Sequence, residues 1–301
     1  MKKMLALLTA LSIMLIACAC PAYAGQAQVM TSFYSIYIFA LNIFDGIDGI
    51  EVSCMAPSST GCLHDYQLLT GDMIKLSQTD MLIVCGAGME SYLDDVRQQF
   101  PNLQIVDCSL GIDLIEEDEH EENHESSDAT YNAHTWLDAG NAIIIVQNIA
   151  QSAAEVFPEY ADKINSNMKD YCEKLSLLDA EIKEILSPYS GRSIVTFHEA
   201  FPYFARAYGL KIAAVMSDEH ESNLSPKKLQ EVIEAVRNAG NPPLFTEPGV
   251  SSTAAQTISQ ETGSAIYELD PITTGDAKLD AYETRMLNNA YILKNALEQD
   301  D

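Results

Sequence analysis

Four side chains of ligand type, His64, His134, His198 and Asp270, fall where short β-type runs give way to loops or helices. His198 is the clearest case. Ser193 to Phe197 reads as a strand. Phe201, Phe204, Ala205 and Tyr208 then recur at helical spacing, and Gly209 stands where that helix should end. In open α/β sheets, ligands bind beyond the carboxyl ends of the strands. Three imidazoles and one carboxylate suit zinc, whose tetrahedral shell takes nitrogen and oxygen together. Manganese draws more carboxylate oxygen. The four residues lie far apart in the chain, so the signal is their shared placement at strand ends, not their spacing.

The elements that must position them alternate. Strands are expected at Gln28–Phe33, Ile50–Met55, Met81–Cys85 and Leu103–Cys108, with helical patterns at Tyr34–Phe44, Leu68–Leu76 and Met89–Phe100. Gly86-Ala87-Gly88 lacks the third glycine of a dinucleotide fingerprint, with Ser91 in its place, and reads as a tight turn. Helices are expected at Trp136–Val156 and then, after Pro158, over Tyr160–Leu186. The second of these would span roughly 40 Å at 1.5 Å per residue, a length that suits a strut between two lobes. The alternation resumes with strands at Ser193–Phe197, Lys211–Val215, Leu244–Thr246 and Ala265–Leu269. Helices there are expected at Ala200–Tyr208, Ser225–Asn238, Thr253–Thr262 and Asp280–Leu297. The fold class is therefore α/β: two Rossmann-like lobes with parallel sheets joined by one long rigid helix. The expected divisions are a leader at 1–24, an N-terminal lobe at 27–158, a linking helix at 159–187 and a C-terminal lobe at 188–301.

Composition narrows the partners. The 301 residues carry a formal charge of -27, which argues against nucleic acid, itself a polyanion, and is compatible with cation binding. Lys2 and Lys3 precede an apolar run, Met4 to Ala17, that reads as an export signal and is too short for a lasting membrane span. Leu15-Ile16-Ala17-Cys18 resembles a lipobox, and Ala22-Tyr23-Ala24 resembles an ordinary signal-peptidase site. Lipidation of Cys18 is the favoured reading, giving a membrane anchor if two or more acyl chains are attached. The expected location is extracytoplasmic, as a cell-surface lipoprotein or in a periplasm. Cys54 and Cys62 flank a loop and could bridge there; Cys85 and Cys108 could instead be small buried residues, and Cys172 core or a free thiol. The run from Asp113 to Asp128 is too acidic to bury apolar area and reads as a solvated loop. A sharper reading makes it an auxiliary cation collector using His120 and His124.

These motifs together resemble the extracytoplasmic solute-binding proteins of zinc and manganese ABC transporters, over nearly the whole mature chain. Cys62-Leu63-His64-Asp65-Tyr66, with Thr79-Asp80 and Gly86 to Glu90, is similar to the family's first ligand block. His134-Thr135-Trp136-Leu137-Asp138 is similar to the second, and Thr196-Phe197-His198-Glu199-Ala200 with Tyr203-Phe204 and Tyr208-Gly209-Leu210 to the third. Glu247, Glu261-Thr262-Gly263 and Leu269-Asp270-Pro271 resemble the fourth. Leu63 and Ala133 depart from the prolines common before the first two ligands.

The resemblance implies a metal held in the cleft by His64 and His134 from the first lobe and His198 and Asp270 from the second. A His at the third position tends to accompany zinc in this family, and a Glu there manganese. Glu247 is expected to hold a ligand imidazole by hydrogen bond. Asp270, before Pro271, has an alternative reading as a turn residue, and Asp138 as a helix cap. The implied function is capture of Zn²⁺ and its delivery to a membrane ABC permease by a protein, expected to be a monomer, that is not an enzyme. Two rivals stand beside it. A manganese-binding protein or cell-adhesion protein would share the fold. A zinc hydrolase would need an open metal position and a positioned base, and the one HExxH spacing, His120 to His124, falls in the acidic run read as a solvated loop.

Overall fold

The computed structural model describes residues 26–56, 66–117, 130–216, 226–249 and 252–299. The leader with Cys18, the loop with His64 and Cys62, the acidic segment with His120 and His124, and Ser225 lie outside the described residues. Among the described residues, eight strands form two four-stranded sheets, every pairing parallel. The first takes the order β2-β1-β3-β4 from β1 (Ala27–Thr31), β2 (Ile50–Cys54), β3 (Met81–Val84) and β4 (Gln104–Asp107). The second takes the order β6-β5-β7-β8 from β5 (Ser193–Thr196), β6 (Lys211–Val215), β7 (Leu244–Thr246) and β8 (Ile266–Glu268).

The helices follow from local chemistry. Helix α1 (Tyr34–Ile43) is apolar almost all round, and eight of its ten residues are buried, as expected of a helix enclosed by other elements. Helices α2 (Thr70–Leu76) and α3 (Leu93–Gln99) are short crossovers. Helix α3 starts later than the periodicity predicts. The chain from Met89 first closes a turn on the Gly86 carbonyl, Met89 N–H donating at 3.1 Å, and Glu90 turns inward instead of continuing a helix face. Helix α4 (Ala139–Val156) is capped by Asp138, whose carboxylate accepts from the Gly140 N–H at 2.7 Å. That cap relieves one orphan donor of the first turn and stops α4 from beginning at Trp136; Thr135–Leu137 is a separate 3₁₀ turn.

Helix α5 (Ala161–Leu186) is the long element, 26 residues or about 39 Å. Ile164, Asn167, Tyr171, Leu175, Leu178, Ile182 and Leu186 form its buried stripe. That stripe packs on α4, α1 and α9 (Ala281–Gln299), so the helix is bound along its length and is not a bare strut. Asn167 fastens it further, its amide donating to the carbonyls of Ile43 and Asp45, both at 2.9 Å. Helices α6 (Pro202–Tyr208), α7 (Pro226–Asn238) and α8 (Thr253–Thr262) complete the second sheet. Gly209 ends α6 in the left-handed conformation, φ 74°, which a glycine adopts without strain.

One hydrophobic core runs through both sheets, and a smaller one, around Val195, Met216, Val232, Val236, Leu244 and Ile258, lies under α7. Tyr282 of α9 shows how the halves join. Its ring lies 4.8 Å from that of Phe39 in α1, and its hydroxyl donates to the Trp136 carbonyl at 2.7 Å. Cys85 and Cys108 are buried thiols, Cys172 is a half-buried thiol, and Cys54 is free, donating to the Ala56 carbonyl at 3.2 Å. Burial pushes the Cys54 thiol up to about 11, and such a thiol is a poor nucleophile. Among the described residues no helix is long and apolar enough to cross a membrane.

Candidate metal centre

The C-terminal ends of the second sheet converge on His198. Strand β5 is buried from Ile194 to Thr196 and stops there. Phe197 still donates to the Phe245 carbonyl of neighbouring β7 at 3.0 Å. His198 and Glu247 therefore leave adjacent strands side by side, and Nδ1 of His198 meets Oε1 of Glu247. A carboxylate beside Nδ1 favours the tautomer that carries its proton there and leaves Nε2 as the lone-pair nitrogen. Both side chains are partly open, 21% for His198 and 28% for Glu247.

His134 reaches the same place from the first half of the chain. It sits on the return from the isolated bridge between Glu116 and Tyr131, just before the 3₁₀ turn. Its backbone N–H donates to Oδ1 of Asn132 at 3.1 Å. Asn132 also reaches across to the second half: its Nδ2 donates to the Glu199 carbonyl at 2.7 Å, and the Tyr203 hydroxyl donates to the Asn132 carbonyl at 2.7 Å. The Tyr203 oxygen then accepts from the Ile115 N–H at 3.0 Å. Clamped in this way, the His134 ring lies 4.8 Å from the His198 ring, edge to face at 90°, and 5.2 Å from Trp136. The imidazole of His134 is almost fully buried.

Asp270 follows β8 and is held differently. Its Oδ2 accepts from Nε of Arg285 at 2.5 Å, and its Oδ1 accepts from Nη2 of Arg285 at 2.6 Å and from the Ile272 N–H at 2.8 Å. Asn289 brackets its backbone, accepting from the Asp270 N–H at 2.9 Å and donating to its carbonyl at 2.7 Å. Trp136 donates to the next carbonyl, that of Pro271, at 2.9 Å. Ile272 takes φ 58°, a strained value for a β-branched residue, so the contacts around this loop over-determine it.

Of the four expected ligands, the structure brings His134 and His198 together. Asp270 is engaged by Arg285, and His64 lies outside the described residues. Among the described residues, no three His, Cys, Asp or Glu side chains gather closely enough to hold an ion. The residues that sequence reasoning missed as parts of the site are Asn132 and Arg285. Tyr203 belongs to the third block of the resemblance, which gave it no role. Asn132 and Arg285 carry no signal beyond polarity, because their partners lie 67 and 15 residues away.

A second buried carboxylate lies in the first sheet. Glu90 accepts from the Ser32 hydroxyl at 2.7 Å, the Cys85 N–H at 2.7 Å and the Gly86 N–H at 3.1 Å. Burial pushes its carboxyl up to about 7, against the pull of those three donors. Gly86 is required here: it takes φ 78°, and a Cβ on it would sit 1.8 Å from Oδ1 of Asp107.

Known proteins show the same organisation. The chain is 28% identical over 264 residues to the zinc-binding protein AdcA of Streptococcus pyogenes, covering 82% of this chain and 51% of that one. It thus spans about half the length of that relative. It is 30% identical over 243 residues to the iron-binding protein YfeA of Yersinia pestis, covering 80% of this chain and 76% of that one. The structure of the solute-binding protein FpvC of Pseudomonas aeruginosa in complex with Mn²⁺ superposes with a TM-score of 0.81 at 22% identity, over 92% of this chain and 100% of that one. Residues 29–296 match the family described as "Zinc-uptake complex component A periplasmic", and the chain belongs to that family of extracytoplasmic metal-binding proteins of ABC transporters, which are binding proteins and not enzymes.

Proposed function

We propose that the chain captures Zn²⁺ between its two halves, through His64, His134, His198 and Asp270, and passes it to an ABC permease for uptake. The observation that carries this reading is the His134–His198 pair. Two imidazoles from opposite halves meet edge to face, and the Glu247 carboxylate occupies Nδ1 of one of them. That arrangement presents nitrogen, the donor zinc prefers over the oxygen shells of manganese. Neutral imidazole is the binding form, so affinity should fall as the pH drops and the histidines protonate. The lobes would be 27–158 and 188–301, with 159–187 between them. A lipid on Cys18 would hold the monomer at the membrane beside its permease.

A second reading is uptake of manganese or iron, favoured by the likeness to FpvC in complex with Mn²⁺ and to the iron-binding protein YfeA. Competition titration of the metal-free chain with Zn²⁺, Mn²⁺ and Fe²⁺ separates the two, alongside the single variants His64→Ala, His134→Ala and His198→Ala. Zinc bound most tightly and weakened by all three variants supports the proposal. Tighter manganese or iron binding, or zinc binding indifferent to the histidines, overturns it.

A further inference from the structure

We propose that Arg285 is a positioning residue that sets metal selectivity by restricting Asp270 to a single free lone pair; this rests on the reading of Asp270 as a ligand. A carboxylate offers about four lone-pair sites. Three of those on Asp270 are already engaged. Oδ1 accepts from Nη2 of Arg285 and from the Ile272 N–H, and Oδ2 accepts from Nε of Arg285. An ion approaching this carboxylate finds one position on Oδ2. Binding through both oxygens requires the guanidinium to leave.

The guanidinium is not free to leave. Its Nη1 donates to the Thr274 carbonyl. Its plane lies 5.6 Å from the ring of Tyr34 in α1, and the Tyr34 hydroxyl donates in turn to the Asp276 carbonyl at 2.8 Å. Gly275 fits between them without a side chain; a Cβ there would lie 2.8 Å from the Tyr34 oxygen and 2.9 Å from Nη1 of Arg285. The fork is thus locked by a loop of the second half and a helix of the first. A bidentate guanidinium–carboxylate pair is the strongest ordinary form of this contact, and here its geometry is fixed from both sides.

The consequence is chemical. Three imidazole nitrogens and one carboxylate oxygen complete a tetrahedral zinc shell. Manganese favours a larger, oxygen-rich shell, which a bidentate carboxylate would help to build. Arg285 denies that second oxygen, and its positive charge lowers the attraction of Asp270 for any cation. The penalty falls hardest on the ion that depends most on oxygen.

The test compares Zn²⁺ and Mn²⁺ affinities of the full chain, zinc by chelator competition and manganese by the resonance signal of the free ion. The variants are Arg285→Gln, Arg285→Lys, Asp270→Asn and Arg285→Gln combined with Asp270→Asn. Expected for Arg285→Gln is a gain in Mn²⁺ affinity of about tenfold with zinc changed by roughly threefold or less, oxygen preference being the discriminator. The gain should vanish in the Asp270→Asn background. Arg285→Lys, a point charge that cannot fork, should fall between and covers the case in which the glutamine variant does not fold. Equal weakening of both metals, or an unchanged ratio, overturns the proposal. The two readings fail differently. If His198→Ala leaves zinc affinity intact, the site itself is wrong; if it abolishes zinc binding while the Zn²⁺/Mn²⁺ ratio ignores Arg285, only the role of Arg285 is lost.

Discussion

The two sheets repeat one topology and differ in what stands at the C-terminal ends of their central strands. In each, the chain crosses from the first strand to an outer neighbour and returns on the other side, giving β2-β1-β3-β4 and β6-β5-β7-β8. Beyond the first and third strands of each sheet, a carboxylate meets a donor. In the first sheet it is Glu90 with Ser32 and two backbone N–H groups, all buried. In the second it is Glu247 with His198, both partly open. A hydroxyl or an amide N–H spends its one donor on the carboxylate and closes the position as a plug. An imidazole spends one nitrogen and keeps the other, which leaves a port. One backbone arrangement thus buries its carboxylate in one half and leaves an imidazole partly open in the other.

The largest effect expected from breaking this contrast is at the port. His198→Ala should weaken zinc binding by more than about a hundredfold, beyond the 10- to 100-fold typical of losing an outer-shell partner, while the metal-free chain stays folded. Calorimetric titration beside a thermal melt checks both halves of that statement. Zinc affinity within a few-fold of the parent would make the two positions equivalent after all.

The plug should announce itself as pH-dependent stability. Glu90 titrates at about 7 in the fold against an ordinary 4.5, so between those values the folded chain keeps a proton that the unfolded chain releases. Its contribution is fullest below about pH 4.5 and is lost as the pH rises towards 7, an effect of about 3 kcal/mol. Denaturant unfolding of the metal-free parent and of Glu90→Gln reads this directly. Their stability difference should shift against the parent across that window and level off above it. A flat difference would show that Glu90 is not the closed counterpart of Glu247.

Glu247→Gln sharpens the comparison at intermediate scale. The neutral amide no longer favours the Nδ1–H tautomer of His198 as strongly, and zinc affinity should fall by roughly 10- to 100-fold with little change in melting temperature. A large loss of stability with unchanged affinity would make Glu247 a second plug. The smallest effect is expected where the halves are stitched together. Tyr282→Phe removes one buried hydroxyl donor from the Trp136 carbonyl and should cost about 1 kcal/mol in denaturant unfolding. A cost near zero would mean that the α9 contact is carried by ring packing against Phe39 alone.

Much of the fold was legible because local periodicity and turn chemistry agree with it. The Ser193-to-Phe197 run, the stripe of α5 and Gly209 closing α6 all lie where the spacing places them. The delayed start of α3 was not legible. Its reason is Glu90 turning back to the ends of β3 and β1, a contact that no local pattern encodes. The long helix lies between the two sheets with nearly the extent its periodicity gives; its stripe shows that one face is buried, and says nothing of α9 returning from the far end of the chain to cover it.

The same division holds at the site. Residue type and strand-end placement singled out His64, His134, His198 and Asp270 as ligand-type side chains, because imidazole and carboxylate keep their donor properties in any fold; Glu247 entered only through the family resemblance. Which nitrogen of His198 is left for an ion, which donors already engage Asp270, and that Asn132 and Tyr203 clamp one half to the other were decided only in three dimensions. Hydrogen bonds across 15 to 71 residues are set by how the two sheets meet, and that meeting is a property of the packed core and not of any stretch of the chain.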